Sequence, residues 1–185
     1  GARFDVAWTG PDNARNFITV VPPDAADRTY EDYGYTRTAT VTLVAPEAPG
    51  AYEVRLISAD GTRVLARAPL QVQGAEASVK APASVQADSE FKATWTGPDN
   101  DLDYIGIIAP GKPGEYVNYT YTRRGSPLVL RAPKTPGEYE VHYFTGRSNQ
   151  SLARQALKVT PADTPGRLQV VAGSGPGASA SAGTV

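Results

Sequence analysis

Three carboxylates stand at alternate positions in Asp99-Asn-Asp101-Leu-Asp103. Oxygen donors spaced this way can converge on Ca2+, which takes hard ligands in a flexible shell. An EF-hand loop needs glycine at its sixth place and glutamate at its twelfth. Counted from Asp99, those places hold Tyr104 and Pro110. The rival reading is a capped turn: Pro98 presets φ, and Asp99 and Asn100 can bond their own backbone. A second constellation is aromatic, with Tyr116, Tyr119 and Tyr121 followed by Arg123. Strand alternation sends Tyr119 and Tyr121 to one face, with Asn118 and Thr120 opposite. Such rings stack a sugar, anchor a protein partner, or fill the core between two sheets with their hydroxyls at the rim. Arg123 can lie over a ring or pair with an acid. His142, the single histidine, is expected to face solvent or sit at an edge. It lacks the partners that a catalytic triad or a histidine metal site needs. No Gly-x-Ser-x-Gly elbow occurs, and no glycine-rich loop leads into a helix to hold phosphate.

These residues belong to a sentence that the chain writes twice. Trp8-Thr-Gly-Pro-Asp-Asn13 recurs as Trp95-Thr-Gly-Pro-Asp-Asn100, a shift of 87 residues. Tyr33-Gly-Tyr-Thr-Arg37 answers Tyr119-Thr-Tyr-Thr-Arg123, and Tyr30 answers Tyr116. Pro49-Gly-Ala-Tyr-Glu-Val54 answers Pro136-Gly-Glu-Tyr-Glu-Val141, and Leu65-Ala-Arg67 answers Leu152-Ala-Arg154. The acidic cluster is not repeated: the first copy has Asp12-Asn-Ala-Arg-Asn16, two carboxylates fewer. A repeat of this length is a small domain. The expected organisation is a first repeat over residues 1–73 and a second over 75–160. A tail covers 161–185, with one possible strand at 167–171.

Sixteen prolines and eighteen glycines punctuate short alternating runs, the pattern of antiparallel strands. In the second repeat, Phe91, Ala93 and Trp95 share a face at period two. Tyr104-Ile-Gly-Ile-Ile108 has the continuous apolar character of a central strand covered on both sides. Further strands are expected at 116–122, 126–131, 137–145 and 151–160. Their counterparts fall at 5–8, 17–21, 30–36, 40–44, 51–58 and 64–72. About seven short strands per unit, with turn signals between them, predict an all-β chain of two tandem immunoglobulin-like β-sandwiches. Tyr52 and Tyr139 each follow a Pro-Gly turn, the placement of a tyrosine corner whose phenol bonds back to the main chain. Trp8 and Trp95 lie on the second strand and cysteine is absent, so neither unit is an antibody domain. The second repeat is preceded by residues 77–88, which read as a first strand broken by Pro82. The first repeat has no such strand before Phe4. Either the chain is a piece of a longer protein that supplies this strand, or a strand arrives at the unpaired edge from elsewhere, such as Leu168 to Val171 of the same or another chain.

Composition excludes several classes. A net charge of −1 without a basic cluster argues against nucleic acid. No apolar run reaches the ~18 residues of a membrane span. Without cysteine there is no disulfide, thiolate metal site or cysteine nucleophile.

The phrases Trp-Thr-Gly-Pro-Asp-Asn, Tyr-x-Tyr-Thr-Arg, Pro-Gly-x-Tyr-Glu-Val and Leu-Ala-Arg resemble a repeat module of bacterial secreted proteins, found beside von Willebrand factor type A domains. Asp103-Tyr-Ile-Gly106 is more distantly similar to the Asp-Trp-Ile-Gly strand of SKICH sandwiches. The first repeat departs from it with Asn16-Phe-Ile-Thr19. The resemblance implies a periplasmic or extracellular location. It also implies a non-enzymatic role, as a spacer or protein-interaction segment of a larger envelope or secreted protein. The alternative is a carbohydrate-binding accessory module that uses the tyrosine strand. No cofactor is expected beyond the Ca2+ that Asp99, Asp101 and Asp103 suggest.

Overall fold

The computed structural model describes residues 1–11, 13–112 and 115–163. The first repeat contains β1 (Arg3–Ala7), β2 (Phe17–Val21), β3 (Tyr33–Tyr35), β4 (Thr40–Val44), β5 (Gly50–Ile57) and β6 (Val64–Val72). The second contains β7 (Ser78–Lys80), β8 (Ser84–Gln86), β9 (Glu90–Thr96), β10 (Tyr104–Ile108) and β11 (Tyr116–Tyr121). It ends with β12 (Leu128–Arg131), β13 (Gly137–Phe144) and β14 (Ser151–Thr160), and a single 3-10 turn, Thr122–Arg124, follows β11. The possible strand at 167–171 lies outside the described residues.

Four sheets result. In the second repeat, a sheet ordered β11-β10-β13-β14-β8 faces one ordered β12-β9-β7. In the first, β3-β2-β5-β6 faces β1-β4. Each repeat is an immunoglobulin-like sandwich, and the two differ by two strands: β7 and β8 have no counterpart among the described residues of the first. The sequence places β3 from Tyr30, but only Tyr33 to Tyr35 pair with β2. Tyr30 stays in the preceding loop.

Alternation decides which side chains meet. On β9, Phe91 and Ala93 are buried and Trp95 packs against them. Ile105 and Ile107 of β10 point inward with Val141 and Tyr143 of β13, all wholly buried. Tyr104 and Ile108 of the same strand are also buried, so β10 is covered on both faces, as its apolar run predicts. In the first repeat Ile18, Val41, Leu43, Val54 and Leu56 form the smaller core. Both tyrosine corners are present. Tyr52 donates to the carbonyl of Ala48 at 3.1 Å, and Tyr139 to that of Thr135 at 3.0 Å. The tryptophans serve equivalent ends: Trp8 Nε1 donates to Thr38 O at 2.7 Å, and Trp95 Nε1 to Gly125 O at 3.1 Å.

Three carboxylates, Glu47, Asp32 and Asp101, join the repeats. Glu47, between β4 and β5, reaches the turn between β13 and β14. There it accepts from Thr145 Oγ1 at 2.9 Å, the Arg147 amide at 3.2 Å, the Ser148 amide at 2.9 Å and the Ser148 hydroxyl. Arg147 in turn donates to Asp32 at 3.1 Å, and Arg3 donates to Asp101 at 2.7 Å. Burial pushes the Glu47 carboxyl up, but these hydrogen bonds outweigh it and hold the group below its ordinary value of 4.5. A carboxyl depressed in the folded state contributes stability that is present above its unfolded pKa. That stability is lost as pH falls through the folded value. Acidification below about 4.5 is therefore expected to loosen the joint before either sandwich unfolds. Small-angle scattering checks this: the maximum dimension should grow at acid pH, and Glu47→Gln should show the wider distribution already at neutral pH. Unchanged scattering in both cases would refute it.

Candidate functional site

The outer face of each larger sheet carries an aromatic ladder. On β10 the odd-numbered isoleucines turn inward, so Tyr104, Gly106 and Ile108 turn outward. Their cross-strand partners are Tyr121, Tyr119 and Tyr116 on one side and Phe144, His142 and Glu140 on the other. Gly106 leaves the space that the rings need, since a Cβ there would stand 3.3 Å from the Tyr104 ring and 3.4 Å from that of Phe144. Tyr104 stacks on Phe144 with centroids 5.0 Å apart. Tyr116, Tyr119 and Tyr121 then follow edge to face, with neighbouring centroids at 4.8 Å and 5.4 Å. Arg123 caps the row, its guanidinium 5.0 Å from the Tyr121 ring centre.

The first repeat builds the same row from Phe17, Tyr30, Tyr33 and Tyr35. Arg37 sits 5.2 Å from the Tyr35 ring centre. Around this row lies a cavity of about 460 Å³ that Arg15, Asp60 and Gly61 also line. Tyr30, Tyr33 and Tyr35 are 46%, 42% and 43% exposed, and Tyr116 and Tyr119 are 47% and 39%. The tyrosines therefore do not fill the space between the sheets. Asn118 and Thr120 face that side instead, and they donate to Arg131 O and Val129 O of β12 at 3.1 Å each. Period two sorts residues onto two faces but does not say which face is inside.

The ladder is chemically quiet. The hydrogen bond with Tyr121 raises the Tyr119 phenol above its ordinary value, and the bond with Tyr35 does the same for Tyr33. Burial raises Tyr104. These phenols remain neutral donors and acceptors at physiological pH.

A charged strip runs beside each ladder. In the first repeat Arg55 is 1% exposed; its Nε donates to Glu53 at 2.5 Å and its other nitrogens to the carbonyls of Ala25 and Ala26 at 2.9 Å. Arg67 joins Glu53 at 2.6 Å and Asp27 at 2.5 Å. At the corresponding positions the second repeat has Glu140, His142 and Arg154. His142 is not at the surface, contrary to the expectation from sequence. It is 5% exposed, stacked on Phe144 at 5.2 Å, and bonded to Ser151 at 2.8 Å and Glu140 at 3.1 Å. The aromatic paving of the outer face covers it, a long-range effect that strand alternation does not reveal.

The acidic cluster separates into three different environments. Asp103 is 1% exposed and serves the interior. It accepts from Tyr143 Oη at 2.8 Å, the Asn100 amide at 2.9 Å and the Gly146 amide at 2.9 Å. Asp101 is exposed and paired with Arg3. Asp99 sits in the left-handed region at φ 50°, and its amide donates to the Tyr143 hydroxyl at 2.9 Å. Among the described residues no group of three or more histidine, aspartate or glutamate side chains is arranged to hold a metal ion. Asp103, rather than Asp99 or Asn100, is the side chain that bonds the backbone of this turn.

This is the geometry of a sandwich that displays aromatic residues. No family model matches the chain, and no curated protein matches it. Among solved structures, one similar to it is the three N-terminal domains of the highly immunogenic outer capsid protein of bacteriophage RB49. It is 18% identical, with a TM-score of 0.34, over 87% of this chain and 55% of that one. Another is the C-terminal fragment of intimin in complex with the intimin-binding domain of its translocated receptor. It is 13% identical, with a TM-score of 0.30, over 86% of this chain and 57% of that one. Likenesses this weak carry no argument, and the architecture stands on the sheet order above.

Proposed function

We propose that the chain is a non-enzymatic protein-interaction module of a larger bacterial envelope or secreted protein. In this reading the aromatic ladders are its contact surfaces. One observation carries it: both repeats hold a row of tyrosines on the solvent face, capped by an arginine, where packing the core does not require them. Tyrosine and arginine are the residues that anchor protein interfaces, because they bring large contact area and a polar tip at low entropic cost. The edge-to-face order favours a protein over a sugar. Stacking a pyranose needs an open ring face, and here Tyr116, Tyr119 and Tyr121 cover one another's faces with interplanar angles of 72° and 84°. The short joint fixed by Glu47 would present the two ladders at a set spacing.

The test is a pair of binding screens with Tyr119→Ala and Tyr33→Ala. Cross-linking to extracellular proteins of the source cell should recover a partner that the wild type captures and the double variant loses by about tenfold or more. Each single variant should keep its melting temperature, since these rings are exposed. Binding on a glycan array that disappears in Tyr119→Ala would replace the protein reading with the carbohydrate one.

A further inference from the structure

β4 and β12 are equivalent edge strands, and only β12 is protected. Among the described residues neither repeat places a strand beyond them. In the second repeat β11 covers the edge: Asn118 Nδ2 donates to Arg131 O and Thr120 Oγ1 to Val129 O, each at 3.1 Å. β12 also carries the charge of Arg131, which pairs with Asp88 at 2.8 Å. Covering an edge and placing charge on it are the means by which natural sheets keep it from pairing. The first repeat has neither. With Tyr33 aligned on Tyr119, Asp32 stands for Asn118 and Gly34 for Thr120. Glycine has no side chain to offer, and a Cβ at Gly34 would overlap Val41 Cγ1. A carboxylate cannot donate, and Asp32 accepts from Arg147 instead. The strand itself, Thr40-Val-Thr-Leu-Val44, holds no charge and no proline.

The ladder with β1 fixes which main-chain groups are free. The Ala45 amide donates to Ala2 O at 2.8 Å, and the Trp8 amide to Ala39 O at 3.3 Å. Phe4 lies opposite Leu43 and Val6 opposite Val41. Antiparallel alternation therefore gives β1 the main-chain groups of Ala39, Val41, Leu43 and Ala45, and turns those of Thr40, Thr42 and Val44 away. The Thr40 carbonyl meets the Thr38 hydroxyl at 2.6 Å. Among the described residues the amides and carbonyls of Thr42 and Val44 meet no protein group. Thr40 and Thr42 are exposed, while Val41 and Leu43 are buried and hold the strand to the core.

We propose that β4 pairs antiparallel with β4 of a second copy, about a two-fold axis at Thr42. Self-complementarity selects this occupant. Thr42 faces Thr42 and Thr40 faces Val44, so each outward amide of one copy meets an outward carbonyl of the other. No like charges meet across the axis, and threonine opposite threonine is a favourable cross-strand pair. The contact is isologous, so it closes at a dimer. At β12 the carbonyls that a mate needs are already taken. The axis stands perpendicular to the sheet, so the tyrosine rows of the two first repeats face the same way. The pairing itself does not depend on what those rows bind.

Sedimentation equilibrium over a concentration series tests the proposal on the full chain. The average mass should rise with concentration and level off at about twofold. Thr42→Pro removes an outward amide and no bond to β1. It should keep the melting temperature and stay monomeric where the wild type dimerises. The chain has no cysteine, so Thr42→Cys reports the axis directly. Mild oxidation should link it into a disulfide dimer, because a hydrogen-bonded pair holds its Cα atoms about 5.5 Å apart. Val129→Cys, at the equivalent position of the second repeat, should stay unlinked under the same oxidation. A full chain that is monomeric at every concentration overturns the proposal. So does a dimer that Thr42→Pro leaves intact, or equal linking of Thr42→Cys and Val129→Cys. A monomeric chain that binds a synthetic peptide of residues 39–45 would show an edge open to a foreign strand, and would also overturn it.

Discussion

Asp103→Ala is expected to destabilise the second repeat by about 3–5 kcal/mol while leaving the first repeat's transition in place. The carboxylate is 1% exposed and holds three donors: the Tyr143 hydroxyl and the amides of Asn100 and Gly146. Each donor left buried without an acceptor costs about 1–3 kcal/mol, and the three share one site, so the costs do not simply add. The neighbours cannot close over the gap. A Cβ on Gly146 would already stand 2.5 Å from Asp101 O, and a Cβ on Gly97 would stand 2.6 Å from the Tyr143 ring. The first repeat supplies the control, because it keeps the backbone frame with a different side chain. Asn16 O accepts from Thr36 Oγ1 at 3.0 Å, as Asp103 O accepts from Thr122 Oγ1 at 3.1 Å. At the position of Tyr143 the first repeat has Leu56, so Asn16 faces no phenol. Asp103→Asn should therefore be milder than Asp103→Ala, and Asp103→Asn combined with Tyr143→Leu milder than the sum of the two changes. Urea unfolding followed by the fluorescence of Trp95 in a Trp8→Phe background reads the second repeat alone. A loss under about 1 kcal/mol for Asp103→Ala would mean that water reaches the site and replaces the carboxylate.

Much of this architecture was legible in the chain because it rests on local rules. The Pro-Gly-x-Tyr phrase fixed both corners, since the phenol needs only a carbonyl four residues back. The run from Tyr104 to Ile108 announced a strand covered on both sides. The chemistry of the acidic cluster was not legible. Asp99, Asp101 and Asp103 look equivalent in sequence, but Asp103 turns inward to meet a tyrosine 40 residues away, and Asp101 turns outward to Arg3. Their fates depend on β13 and on the joint, neither of which leaves a mark near residue 100. Glu47 was missed for the same reason. Its partners lie about 100 residues on, and its counterpart in the second repeat is Lys134. A comparison of the two copies could have flagged it, as a charge reversal at a turn that is otherwise repeated.

The second large effect is expected in the first repeat. Arg55→Leu should destabilise it by about 3–5 kcal/mol. The guanidinium is nearly inaccessible, and it links β5 to the carbonyls of Ala25 and Ala26, in the loop that leads from β2 to Tyr30. Leucine fills part of the volume but takes from the Ala25 carbonyl its side-chain donor, leaves the Ala26 carbonyl only the Thr29 amide at 2.9 Å, and leaves Glu53 to Arg67 alone. The buried ion pair is not needed as such, because the second repeat solves the same position with His142, Ser151 and Glu140. Arg55→His tests this. The ring can meet Glu53 but is too short for the loop, so part of the stability should return while amide exchange at residues 22–29 stays fast. That loop ends in Tyr30, which packs edge to face on Phe17 at 5.0 Å and on Tyr33 at 5.7 Å. Arg55 therefore acts on the first ladder as a positioning residue. Partner binding through Tyr33 should weaken in Arg55→His under conditions where the repeat is still folded. Binding that survives intact alongside fast loop exchange would show that Tyr30 lies outside the contact surface.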